Sequence, residues 1–313
     1  MLQQTPVASV LSYYDDWLRR FPDFATLARA PESEVLCAWQ GLGYYARARR
    51  LHAAAKLVQE RHGGILPADA TAIQALPGIG RYTANAIATF AFEQSVPVVE
   101  ANIVRVLARL FDQEVAIDSA TGRKSIWRHA MDLLPSRHVS NHNSALMDLG
   151  ALVCTVRAPK CQICPVQNFC RATNPESLPV KRPRPRTRQL VETHSFVVRQ
   201  NRILLQQSIK RWRGLWILPP LKTRSSSRRP IHALVFPFTH HRVTLKIFKV
   251  AASKIAENGD RWVSLNSLDS IPIPSPHRRA ILDLLNSALD VPPSLHSGTT
   301  SGRLPGWGLA KAR

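Results

Sequence analysis

Four of the five cysteines fall in one run, CTVRAPKCQICPVQNFC, which holds Cys154, Cys161, Cys164 and Cys170. Four thiolates in this short compass suit a metal centre, either zinc or an iron–sulfur cluster. Disulfides are the poorer reading, because no charged n-region and apolar h-region open the chain. Cys37 stands apart in an apolar helical stretch and is expected to be a buried core thiol. A second chemical signal is LPGIGRYTANAIA, Leu76 to Ala88. There Gly78 and Gly80 allow a tight turn between two helices, and the turn amides with the next helix N-terminus make a seat for a phosphate. Lys and Arg number 42 against 21 Asp and Glu, a formal charge of +21. A field of that size attracts polyanions and gives sequence-independent affinity for phosphates, so the expected partner is nucleic acid.

The elements that must carry these groups can be read from periodicity. The chain has 313 residues, 45% hydrophobic and 20% charged, enough for two domains at roughly 150 residues each. Residues 5–170 read as helix after helix, with apolar residues at i, i+3 and i+4 and a Gly-Gly stop after VQERH. SLPVKRPRPRTRQ cannot pack a core and reads as an extended, solvated linker lying near a phosphate backbone, the alternative being a plain solvated spacer. THSFVVRQNRILLQQS and HALVFPFTHHRVTLKIFKVAA alternate as strands do, and SPHRRAILDLLNSAL closes the fold as a helix. The expected fold is mainly α: an all-helical domain over 1–173 including the metal loop 154–170, a basic Pro/Arg linker over 174–190, and a smaller α+β domain over 191–290. A Pro-, Gly- and Ser-rich tail over 291–313 is expected to be disordered. No apolar run reaches the roughly 18 residues of a membrane span, so a soluble intracellular protein is expected.

The hairpin stretch resembles that of the helix-hairpin-helix DNA glycosylases, and Cys-x6-Cys-x2-Cys-x5-Cys resembles the [4Fe-4S] loop of the endonuclease III and MutY branch. LQQTPV, GLGYYARARRLH, SALMDLGALVCT, RWRGLWILP, FTHHRVTL and PSPHRRAI are similar, in order, to blocks of the MutY-type adenine DNA glycosylases, over about residues 1–285. The resemblance implies a [4Fe-4S] cluster on the four cysteines and a Nudix-like second domain. It implies a base excision repair enzyme that hydrolyses the N-glycosidic bond of adenine mispaired with 8-oxoguanine or guanine. Double-stranded DNA with such mispairs is the implied partner of a monomer, with no membrane and no nucleotide cofactor. The second domain has no Glu-rich pyrophosphatase box and should recognise DNA.

Roles follow position by position. Gln3 and Gln4 would enter the DNA stack and Tyr44 would wedge beside the oxidised guanine. Gly78, Gly80 and Arg81 would hold the backbone. Phe238, Thr239 and His240 resemble the lesion-reading Phe-Ser-His loop, with Thr keeping the hydroxyl. Where endonuclease III has a lysine nucleophile this chain has Tyr82, implying a monofunctional glycosylase rather than a lyase. Glu100 takes the place of the family's Asp, the carboxylate that would stabilise an oxocarbenium-like transition state, with Tyr82 and Asn102 supporting it. The family's general acid is a Glu two positions before the Met that begins this sequence. The expectation is therefore an upstream segment carrying that Glu, with Glu100 acting for Asp; the alternative is a catalytically impaired, lesion-binding relative.

Overall fold

The computed structural model describes every residue except 3, 4, 6, 184, 222–228, 251–259 and 290–313. Gln3, Gln4 and the expected tail lie outside the described residues.

Nine helices are described in the first part of the chain: α1 (Val7–Arg20), α2 (Phe24–Arg29), α3 (Glu32–Ala38), α4 (Ala46–His62), α5 (Ala70–Gln74), α6 (Arg81–Phe92), α7 (Ala101–Leu110), α8 (Ala120–Asp132) and α9 (Val139–Asp148). Their boundaries follow local chemistry. Asp23, Asp69 and Ser119 cap α2, α5 and α8 by accepting backbone N–H bonds from Thr26, Ala72 and Gly122, which satisfies donors that a helix start leaves orphaned. The amphipathic faces close over several cores, one built on Trp17, Phe21, Leu36 and Trp39, another on Ile103, Leu107 and Ile126.

The later part is α+β. Strand β1 (Arg188–Phe196) runs parallel to β6 (His241–Lys249), and β6 pairs antiparallel with β5 (His232–Phe238). A second sheet joins β2 (Val198–Arg199), β3 (Arg202–Gln207), β4 (Trp216–Ile217) and β7 (Asp260–Ser264). The stretch THSFVVRQNRILLQQS, read as strand-like, is therefore divided between two sheets. Gln200 and Asn201, both with positive φ, turn β2 back into β3, the backbone twist that a two-residue hairpin requires. Helix α10 (Ser275–Leu289) closes this core with Ala280 and Ile281 against Ile203, Leu218 and Ile247. The linker is shorter than the reading 174–190, because residues from Arg188 onward already find ladder partners on β6.

The two parts share packing. Leu215, fully buried, belongs to the core of Trp17 and Trp39, with Trp212 beside it. Arg49 Nη1 donates to the Arg213 carbonyl at 2.7 Å, and Ile273 N donates to Gln40 Oε1 at 3.2 Å. Cys37 is at this seam and not in a core: it is half-buried, with its thiol toward the Ser270 carbonyl at 3.2 Å. Its pKa is raised, chiefly by burial.

Candidate DNA-processing site

The hairpin occupies the junction of α5 and α6. Gly78 has φ +79°, and a Cβ there would sit 2.6 Å from the Arg50 side chain, so backbone angle and space both demand glycine. Gly80 has an ordinary extended backbone, caps α6, and would meet nothing within 4 Å if given a Cβ. It leaves the first amides of α6 approachable for an anion. The Arg81 guanidinium lies 3.8 Å over the Trp127 ring, a cation–π contact that fixes its direction.

Glu100 is the N-cap of α7, accepting from Asn102 N at 2.8 Å and Ile103 N at 2.9 Å. Carboxylate oxygens bound by helix-start amides hold negative charge at the positive end of the dipole. Tyr82 lies close enough to feel that charge: its pKa is raised by burial first and by Glu100 second. Tyr82, Glu100 and Asn102, separated in sequence, are thus gathered at the N-terminal ends of α6 and α7.

What aims this carboxylate is a set of buried polar side chains. Asn143, almost wholly buried, accepts from Val98 N and donates to the Val96 carbonyl. Asn85 Nδ2 donates to Pro97 O at 2.8 Å, and the Thr89 hydroxyl to Gln94 O and Val96 O. The strap that enters α7 is pinned from α6 and α9, satisfying backbone groups that burial would otherwise leave costly.

Helix α7 also braces the cysteine loop. Arg105 Nε donates to Cys154 O at 2.8 Å and its Nη2 to Gly150 O at 2.6 Å. Arg109, 1% exposed, reaches the carbonyls of Thr155, Val156 and Leu178 and lies 3.3 Å from Cys154 Sγ. Gly150 packs against Asn102 so closely that a Cβ would meet Asn102 Cβ at 2.6 Å. None of the four loop cysteines is in a disulfide. Among the described residues no three His, Cys, Asp or Glu converge on the position of a single ion. A cluster in which each thiolate binds its own iron asks for no such convergence on one point, so four cysteines in one loop fit a multi-iron group.

A cleft of about 500 Å³ opens between the two parts, lined by Tyr44, Arg211, Trp212, Phe238 and Thr239 among others. Tyr44 is 59% exposed at φ +48°, an outlying conformation for an aromatic residue, and its ring lies 5.6 Å from the Arg47 guanidinium. Thr239 and His240 form the exposed turn of the β5–β6 hairpin, Thr239 at φ +52°. Arg211 lies 4.5 Å over the Phe238 ring and pairs with Glu192 at 2.6 Å, while Trp212 meets Phe238 edge-on at 5.4 Å. The cleft is aromatic and cationic, the chemistry that stacks bases and receives phosphates.

Residues 1–127 match the HhH-GPD superfamily of base excision DNA repair proteins, and residues 154–170 match the iron–sulfur binding domain of endonuclease III. The loop is therefore the binding loop of a [4Fe-4S] cluster. The adenine DNA glycosylase of Buchnera aphidicola (subsp. Baizongia pistaciae) is 30% identical over 304 residues, covering 90% of this chain and 86% of the relative. This chain belongs to the adenine DNA glycosylase family. The mouse adenine DNA glycosylase is 45% identical over 173 residues, which are 55% of this chain but only 34% of that protein. The chain thus matches about a third of the length of its mammalian relatives. A thermostable thymine-DNA glycosylase of known structure superposes with a TM-score of 0.50 at 32% identity, over 54% of this chain and 78% of that one. No helix among the described residues is long and apolar enough to cross a membrane.

Proposed function

We propose that this protein is a monofunctional DNA glycosylase that removes adenine from mispairs with 8-oxoguanine or guanine. One observation carries the reading: Tyr44 from the helical part and Phe238–Thr239 from the α+β part, singled out separately in the sequence, line one cleft. Tyr44 wedges beside the oxidised base, and the Thr239 hydroxyl hydrogen-bonds its edge. His240 stands next to it on the exposed turn. The second part, a Nudix-like module, acts as a reader. The amides around Gly78 and Gly80 hold the backbone of the adenine strand, with Arg81 alongside. Adenine is flipped out, and the Glu100 carboxylate stabilises positive charge developing at C1′, with Tyr82 and Asn102 shaping its surroundings. The cluster supplies a rigid loop, held by Cys154, Cys161, Cys164 and Cys170.

Single-turnover release of adenine opposite 8-oxoguanine, measured on the cluster-loaded protein, tests this. Release that falls sharply in Tyr44→Ala and Thr239→Val, with an adenine–thymine duplex untouched, supports the reading. A second reading, a lesion-binding relative with impaired chemistry, is favoured by one feature: both Glu100 oxygens are engaged in capping α7. Tight, lesion-selective binding without base release, both by this chain and by a version extended upstream to carry the Glu, would establish it in place of the first.

A further inference from the structure

The linker is held at both ends. Upstream, Ile117 N donates to Val180 O at 3.0 Å, Arg182 N donates to both Asp118 carboxylate oxygens at 3.0 and 3.2 Å, and Arg109 Nε reaches Leu178 O. Downstream, Arg188 N donates to the carbonyl of His240 at 2.9 Å, and β1 enters its ladder on β6 with Arg188 opposite His241. The segment is therefore a strap fixed between the end of the cysteine-bearing part and the turn that borders the cleft.

Lys181, Arg182, Arg186 and Arg188 on this strap are all exposed, as are His240 and Arg242 at its downstream end. None of these four strap cations forms an ion pair with a carboxylate among the described residues. Asp118 is spent on a backbone amide of Arg182, leaving the guanidinium free of it. Pro183 and Pro185 remove two backbone donors and fix φ, so the strap cannot fold back on itself as a helix. Long cations held apart, unpaired, on a chain whose course is fixed at both ends lose less freedom on binding a polyanion than cations on a free tether.

We infer that this strap is a second DNA-backbone site: Arg182, Arg186 and Arg188 receive consecutive phosphates on the flank of the duplex whose oxidised base enters the cleft. The inference rests on the DNA-processing reading and adds to it a contact that carries no base information, only register. It links the two halves through the substrate, since one strap end belongs to each.

The experiment is a salt titration of binding by fluorescence anisotropy, with labelled duplexes carrying either an adenine–8-oxoguanine pair or an adenine–thymine pair. The proteins are the cluster-loaded wild type, the triple variant Arg182→Gln/Arg186→Gln/Arg188→Gln, and the triple Arg→Lys variant at the same positions. Each phosphate contact contributes about 0.9 to the slope of log K against log salt. The glutamine variant should lower that slope by about 2 to 3 on both duplexes, and the lysine variant should keep it. An unchanged slope in the glutamine variant, with cluster absorbance intact, overturns the inference. So does a loss confined to the lesion duplex. Wild-type protein that fails to bind either duplex would instead bring down the DNA-processing reading itself.

Discussion

Arg105 Nη2 donates to Asn102 Oδ1 at 2.9 Å while the same guanidinium holds the carbonyls of Gly150 and Cys154. One side chain thus ties the residue beside the Glu100 cap to the first cysteine of the cluster loop. Replacing it by Leu would leave buried acceptors unpaired, at about 1–3 kcal/mol each. The expected outcome for Arg105→Leu is lower iron content per chain and a depressed thermal midpoint, and Arg105→Lys recovers little because it lacks the planar fork. Iron retention equal to wild type in both variants would show that the brace is dispensable.

Glu100 combines two duties that substitution can separate. Glu100→Gln keeps an oxygen for the α7 amides but removes the charge, so the fold should hold while adenine release drops by about 100-fold. Glu100→Asp keeps charge and is a good cap; it should retain release. Single-turnover rates alongside thermal melts distinguish this from a purely capping role, in which Gln and wild type would cleave alike.

At Gly78 a methyl group meets the Arg50 stem and an unfavourable backbone angle together. Gly78→Ala should destabilise by roughly 1–3 kcal/mol and weaken DNA binding, whereas Gly80→Ala, with open space around it, should leave stability nearly untouched. Equal melting curves for the two variants would contradict the geometry.

His277 and His194 form a buried edge-to-face pair with ring centroids 4.7 Å apart. Leu218 N donates to His277 Nδ1, and His194 Nδ1 lies 2.6 Å from the Leu218 carbonyl. Burial holds both below the ordinary value of 6.5, His277 well below it, helped by the neighbouring His194. A lowered folded-state pKa means that the unfolded chain binds more protons as pH falls under about 6.5. Stability should be full above that value and decline below it, by up to about 1.4 kcal/mol per pH unit for each group. His277→Gln should flatten the dependence of the thermal midpoint between pH 7.5 and 5.5. An unaltered pH profile would remove the pair as its origin.

Much of this was legible in the chain. The cysteine run and the Pro-Gly-Ile-Gly break announce themselves because few other structures need those residues at that spacing. Tyr44 and Thr239 could be singled out by resemblance, but only the fold places them in one cleft. Arg105, Arg109, Asn85, Thr89 and Asn143 escaped sequence reasoning, since a polar residue within an amphipathic helix ordinarily faces solvent. The one available signal was ANIVRVLARL, where two arginines four apart interrupt an otherwise apolar surface. Cys37 misled for the opposite reason, an apolar neighbourhood in sequence that proves to be a seam between two packing units. Strand alternation could not reveal the crossing between sheets, because periodicity is the same on either side of it.

Leu215 belongs by sequence to the α+β part and by packing to the helical one. A fragment that ends at the linker would therefore open a Leu-sized void among Trp17, Leu36 and Trp39, and bare the Trp39 neighbourhood to water. A change of side-chain volume at Leu215 in the α+β part is therefore felt in the helical core. Leu215 thus makes the helical core incomplete without the later half of the chain.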